Sequence, residues 1–124
     1  MSHASRIIVH VQALLVLVQA AMAGNSDRLF GQWSIVAHGV VGQTSFALAI
    51  VGLVIAIVGR LGKPIVVVSA VLVALMTLQI GLGYAGRTSL EAAAWHIPNG
   101  VAIFGLAIYN ITLYQRRHLV SAPS

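Results

Sequence analysis

Cysteine is absent from this 124-residue chain, which removes disulfides, thiolate metal sites and cysteine nucleophiles. Acids are nearly absent too: Asp27 and Glu91 are the only two carboxylate side chains. Neither lies inside a hydrophobic run, so paired-carboxylate catalysis and proton-coupled efflux through a buried acid have no residues to use. No nucleophile with an adjacent base, no phosphate-binding loop and no metal-hydrolase motif is present, which argues against an enzyme. Charged residues make up only 7%, against about a quarter in soluble domains, so the chain could not coat a water-facing surface.

What fills the chain is apolar: 59% of residues are hydrophobic and the mean hydropathy is +0.95. The seven basic residues stand at the ends of long apolar runs. That placement suits a lipid bilayer with anionic headgroups and not nucleic acid, which needs a basic face with polar support. The runs predict four membrane-spanning helices near Ile7–Gly24, Trp33–Val58, Pro64–Tyr84 and Ala93–Tyr114. Helices are expected because they satisfy their own backbone in hydrocarbon. The connections fall at Asn25–Gln32, a tight Gly59–Lys63 turn, and Ala85–Ala92. Thr88 and Glu91 fit a capping box that starts the fourth helix. Pro98 inside that helix frees the carbonyl of Ala94 and predicts a kink near His96. The expected fold is an all-α integral membrane four-helix bundle, up-down-up-down, forming one transmembrane domain over residues 1–124.

Arg6, Arg60, Lys63, Arg116 and Arg117 cluster at one side of this layout, and Arg28 and Arg87 at the other. Basic excess marks the cytoplasmic side, so both termini are expected there. Trp33, Tyr84 and Trp95 then form an outer aromatic belt, with Tyr109 and Tyr114 at the inner one. The first segment also has the basic start, apolar stretch and Ala21-Met22-Ala23 of a signal peptide, although His10, Gln12 and Gln19 are unusual inside a signal core.

Each span carries one polar side chain at a matched depth. Gln19, His38, Gln79 and His96 all fall about five residues, or roughly 7–8 Å, from the outer boundary. Both histidines read His-x-x-x-Gly, to Gly42 and Gly100, and the order Gln-then-His repeats, as in a doubled hairpin with a pseudo-twofold. Polar groups at such depth are costly unless satisfied. Neutral imidazoles from two facing helices are good axial ligands for haem iron. A glycine four residues on shares the histidine's helix face and gives a porphyrin clearance, and Gly39 and Gly81 add further thin places. Arg28 and Arg87 stand on the correct side to pair with the two haem propionates. Gln19, Gln43, Gln79 or Asn99 would orient the imidazoles. The competing reading is that these groups are interhelical glue and that Gly42, Ala49 and Gly100 are packing contacts.

The layout resembles one four-helix half of the haem A synthase superfamily. Leu78-Gln79-Ile80-Gly81-Leu82-Gly83 looks like that family's glutamine-bearing third helix, Ala94-Trp95-His96 like its fourth and Ala37-His38-Gly39 like its second. The chain also resembles a bacterial family of small four-span membrane proteins of unknown function, and the likeness covers roughly Val11–Arg117. It implies a haem b site at His38 and His96 in the bacterial cytoplasmic membrane. The family's reaction uses two halves and an outer-loop glutamate; here there is one half, Glu91 is the only glutamate, and Gly39 replaces an arginine. Oxidase activity is therefore not implied. Two functions are expected to compete: a b-type cytochrome-like module for electron transfer or haem handling, and a non-catalytic accessory subunit of a respiratory or other membrane complex. Self-association is a third partner arrangement.

Overall fold

The chain forms helices α1 (His3–Phe30), α2 (Ser34–Val58), α3 (Lys63–Ala85) and α4 (Leu90–Ser121), with a 3-10 turn at Gly31–Trp33. This is a computed structural model describing residues 3–121, without the side chains of residues 3, 23–30, 32, 120 and 121. All four helices are long and apolar enough to cross a membrane, the make-up of a multi-pass membrane protein. Their outward faces carry large apolar side chains such as Val40, Val54, Val58, Val67, Ile97 and Val101. A coat this continuous would aggregate in water and suits lipid.

Two boundaries differ from the sequence-based expectation. The segment Asn25–Gln32 is not a loop: α1 runs on to Phe30 because no proline interrupts it, and the first break is Gly31, at φ +52°. The cap of α4 is Ser89 rather than Thr88. The amide of Ala92 donates to Ser89 Oγ at 3.2 Å, while Thr88 Oγ1 donates to the carbonyl of Ala85 at 3.4 Å. Glu91 lies exposed in the first turn, where its charge complements the helix dipole.

Consecutive helices touch, and α1 also touches α4, so the four form a closed ring with α1 opposite α3 and α2 opposite α4. The buried positions follow a 4-3-4 spacing: Ser5, Val9, Gln12, Val16 on α1; Ser45, Ala49, Gly52, Ala56 on α2. It recurs as Ile65, Ser69, Leu72, Met76 on α3 and Ile103, Ala107, Asn110, Tyr114 on α4. A period of 3.5 makes a straight seam on each helix and sets up the shallow crossing of a bundle. The α3 set is the α1 set moved 60 residues along; the α4 set is the α2 set moved 58. The seam therefore carries the internal repeat.

Tyr114 belongs to this core and not to an interfacial belt. It is fully buried against Val9, Ala56, Leu61 and Ile65, and its hydroxyl donates to the Gly52 carbonyl at 3.5 Å. Asn110 is buried one turn before it, donating to Ser69 Oγ at 3.3 Å. Tyr114 fits inside because its counterparts on α2 are small. Tyr109, Trp33, Tyr84 and Trp95 are exposed.

The α2–α3 turn closes as a Schellman motif: Leu61 N–H donates to the Ala56 carbonyl at 3.0 Å and Arg60 N–H to that of Ile57 at 3.1 Å. Arg60 holds the left-handed position usual for glycine, with φ +48°. Its carbonyl accepts from Arg117 Nη2 at 3.0 Å, tying α4 to the turn. Gly62 sits at φ +102° and ψ +152°, a region open only to glycine, and a Cβ there would meet Arg117 Nη1 at 3.1 Å. Reversible unfolding in detergent should therefore show Gly62→Ala destabilising by about 1–3 kcal/mol. Arg60→Gly should stabilise by up to about 1 kcal/mol.

Candidate functional site

The seam ends, at the α1–α2 and α3–α4 connections, in a polar layer. Continuing the same spacing by one step from Val16, Ser45, Met76 and Ile103 reaches Gln19, Gly42, Gln79 and Gly100, and one further step reaches His38 and His96. All of them thus inherit the inward direction of the core.

The two hairpins build the layer in the same way. Gln19 Nε2 donates to the backbone carbonyl of His38 at 2.5 Å, and Gln79 Nε2 donates to that of His96 at 3.0 Å. Each carbonyl faces the amide of the residue four along, which is a glycine, and its second lone pair takes the glutamine. Side chains on a helix tilt toward its N-terminus, so a side chain at that fourth position would cover the carbonyl. A Cβ on Gly42 would lie 2.8 Å from Gln19 Nε2, and one on Gly100 would lie 3.2 Å from Gln79 Nε2. The glycine of His-x-x-x-Gly is thus the seat of the glutamine amide, and the clearance expected for a porphyrin at Gly42 and Gly100 is taken by the chain itself. Gly39 and Gly81 keep open space, with nothing within 4 Å of an ideal Cβ.

The glutamines therefore act on backbone carbonyls, not on the imidazoles they were expected to orient. Asn99 Nδ2 joins them, donating to Gln79 Oε1 at 2.6 Å and to the Leu75 carbonyl at 3.0 Å. Gln43 is exposed.

With their carbonyls so held, His38 and His96 turn their rings toward each other from opposite helices. The ring centroids are 6.2 Å apart, with the planes at 52°. Two imidazoles in line on one metal, each through a bond of about 2.0 Å, place their centres roughly 6 Å apart. Both side chains are half-buried, and neither ring makes a hydrogen bond among the described residues. His96 Nδ1 is buried without a partner. Its Nδ1–Cε1 edge packs against α3, where a Cβ on Gly83 would lie 3.2 Å from Cε1.

No protein-family model, curated protein or solved structure matches the chain.

Of the two expected propionate partners, one is described and turns to another contact. Arg87 is exposed and stacks on the Tyr84 ring, 4.8 Å from its centroid, and the Arg28 side chain lies outside the described residues. His10 is exposed near the other end, its Nδ1 2.7 Å from the Arg6 carbonyl. Sequence reasoning missed a second set of buried polar contacts deeper in the seam. Gln12 Nε2 donates to Met76 Sδ at 3.6 Å and Ser45 Oγ to the Gln12 carbonyl at 3.5 Å. Their signal was available: Gln12 lies seven residues before Gln19, and Ser45 seven after His38, on the same seam.

The amide seat is tested by a double-mutant cycle. Alanine normally gains roughly 0.5–1 kcal/mol over glycine inside a helix, so Gly100→Ala alone mixes that gain with displacement of Gln79. In a Gln79→Ala background, Gly100→Ala should be more favourable than in the wild type by about 1 kcal/mol, one hydrogen bond. Equal effects in both backgrounds would show that the glycine seats nothing.

Proposed function

We propose that this chain is a b-type cytochrome-like membrane module that holds haem b between His38 and His96 for electron transfer or haem handling. The observation that supports it is the facing pair of imidazoles at 6.2 Å, a spacing suited to axial ligation of one metal. The pair offers a metal two protein ligands. A metallated ring that brings its own equatorial donors needs no more than two. When bound, haem supplies a one-electron couple, and its potential is set by the axial ligands and their burial.

The residues of the chain do the positioning. Gln19 and Gln79 fix the turns that carry the two histidines, and the apolar seam closes the bundle below the ring pair. His96 Nδ1 is buried without a partner, so this imidazole has no hydrogen bond to give up on taking a ligand. The half-buried Gly39, with open space at its Cβ position, provides a thin wall beside His38. We place the protein in a bacterial cytoplasmic membrane with both termini inside and the histidine layer near the outer face, on the distribution of basic residues. Its electron partner would be a component of a larger membrane complex reached from that side.

Purified protein, reconstituted with haemin where needed, should show a Soret band and, once reduced, an alpha band; His96→Ala should remove both. A folded, colourless protein that takes up no haemin would end this reading. The missing native cysteines make orientation directly testable. An impermeant maleimide should label R87C in intact spheroplasts and K63C only after lysis, whereas the reverse pattern would invert the topology.

A further inference from the structure

The two halves of the polar layer are equivalent in sequence position but differ, among the described residues, in the hydrogen bonds that tie them. In the second hairpin the Gln79 amide is bonded at both ends, to the His96 carbonyl and to Asn99, and Asn99 is itself tied to the Leu75 carbonyl. These three bonds cross between α3 and α4 within one turn of His96. They lie where Pro98 removes the helix bond to the Ala94 carbonyl, so the weakest turn of α4 is the one most heavily cross-tied. The His96 ring also packs against Gly83, with Nδ1 buried.

In the first hairpin the residue 58 positions before Asn99 is Val41, which has no polar group to offer. Gln19 makes its single bond to the His38 carbonyl and, among the described residues, no other. Among the described residues, the His38 ring faces that of His96. Val40 stands in place of Pro98.

From this asymmetry we infer that His96 is the permanent axial ligand and His38 the displaceable one, with Asn99 as the positioning residue that makes the difference. The inference rests on the haem reading above. The ties act on the backbone of the turn that carries the ring, and a ligand on a cross-tied turn is held in place more firmly than one on a turn with a single tie. Were haem held here, release of His38 would free its place for a small neutral diatomic, for which carbon monoxide is the probe.

The experiment compares His38→Ala, His96→Ala and Asn99→Val after haemin reconstitution in detergent, each confirmed as folded by circular dichroism and gel filtration. His38→Ala should keep close to one haem per chain in a five-coordinate, high-spin form, and when reduced should bind carbon monoxide at least tenfold faster than the wild type. His96→Ala should keep less than a tenth of the wild-type haem. Asn99→Val should lose haem to an excess of a scavenging globin at least threefold faster than the wild type, and Asn99→Gln, which restores an amide on that turn, should be slower than Asn99→Val. If His96→Ala does not fold, His96→Gly with free imidazole replaces it; haem should be held with imidazole present and lost when it is dialysed away. Equal haem retention by the two histidine variants, or better retention without His96, would overturn the assignment while leaving a haem site in place. A wild-type protein that takes up no haem would overturn the underlying reading instead.

Discussion

One backbone carbonyl in each hairpin, accepting two hydrogen bonds at once, organises this protein. The first bond is the ordinary helical one from the glycine four residues on. The second comes from a glutamine on the preceding helix, and it is possible only because that glycine leaves the carbonyl uncovered. In hydrocarbon a primary amide has few other partners, so the bond settles the register of each helix pair and the depth of the histidine next to it. The seam below supplies most of the burial, but apolar side chains alone would tolerate a slip of one heptad. The amide does not.

The repeat is a matter of register more than of residue identity. Equivalent seam positions differ in size and polarity: Ser45 against Ile103, Gly52 against Asn110, Ala56 against Tyr114, Val9 against Ser69, Gln12 against Leu72. A small residue in one half stands at the level of a large one in the other. Close packing demands this, because four helices share each level and the summed volume is what must stay constant. The glutamines, histidines and glycines of the polar layer escaped that divergence, since hydrogen-bond geometry allows fewer substitutes than volume does.

Much of this was legible in the sequence. Apolar run lengths located α2 and α3 to within a residue or two, and matched depth correctly grouped Gln19, His38, Gln79 and His96 in one layer. What escaped was directional. Spacing placed a glycine on the histidine's face but could not say that a glutamine from the neighbouring helix would occupy the gap. Tyr114 read as an interfacial anchor because its residue type is common there; its burial depends on Gly52 and Ala56, more than fifty positions away. The end of α1 was misjudged because polar residues at Asn25–Gln32 resemble a loop, whereas the backbone stays helical until a glycine with positive φ.

The size compensation along the seam also fixes who can pair with whom. Two copies of the second hairpin would set Tyr114 and Asn110 against their own twins with no room between them. Two copies of the first would leave a void lined by Gly52 and Ala56. Whatever symmetric ancestor the repeat records, its halves have since become lock and key. Neither could now assemble with itself, and the short linker at Arg60 keeps together two pieces that have lost the alternative of living apart.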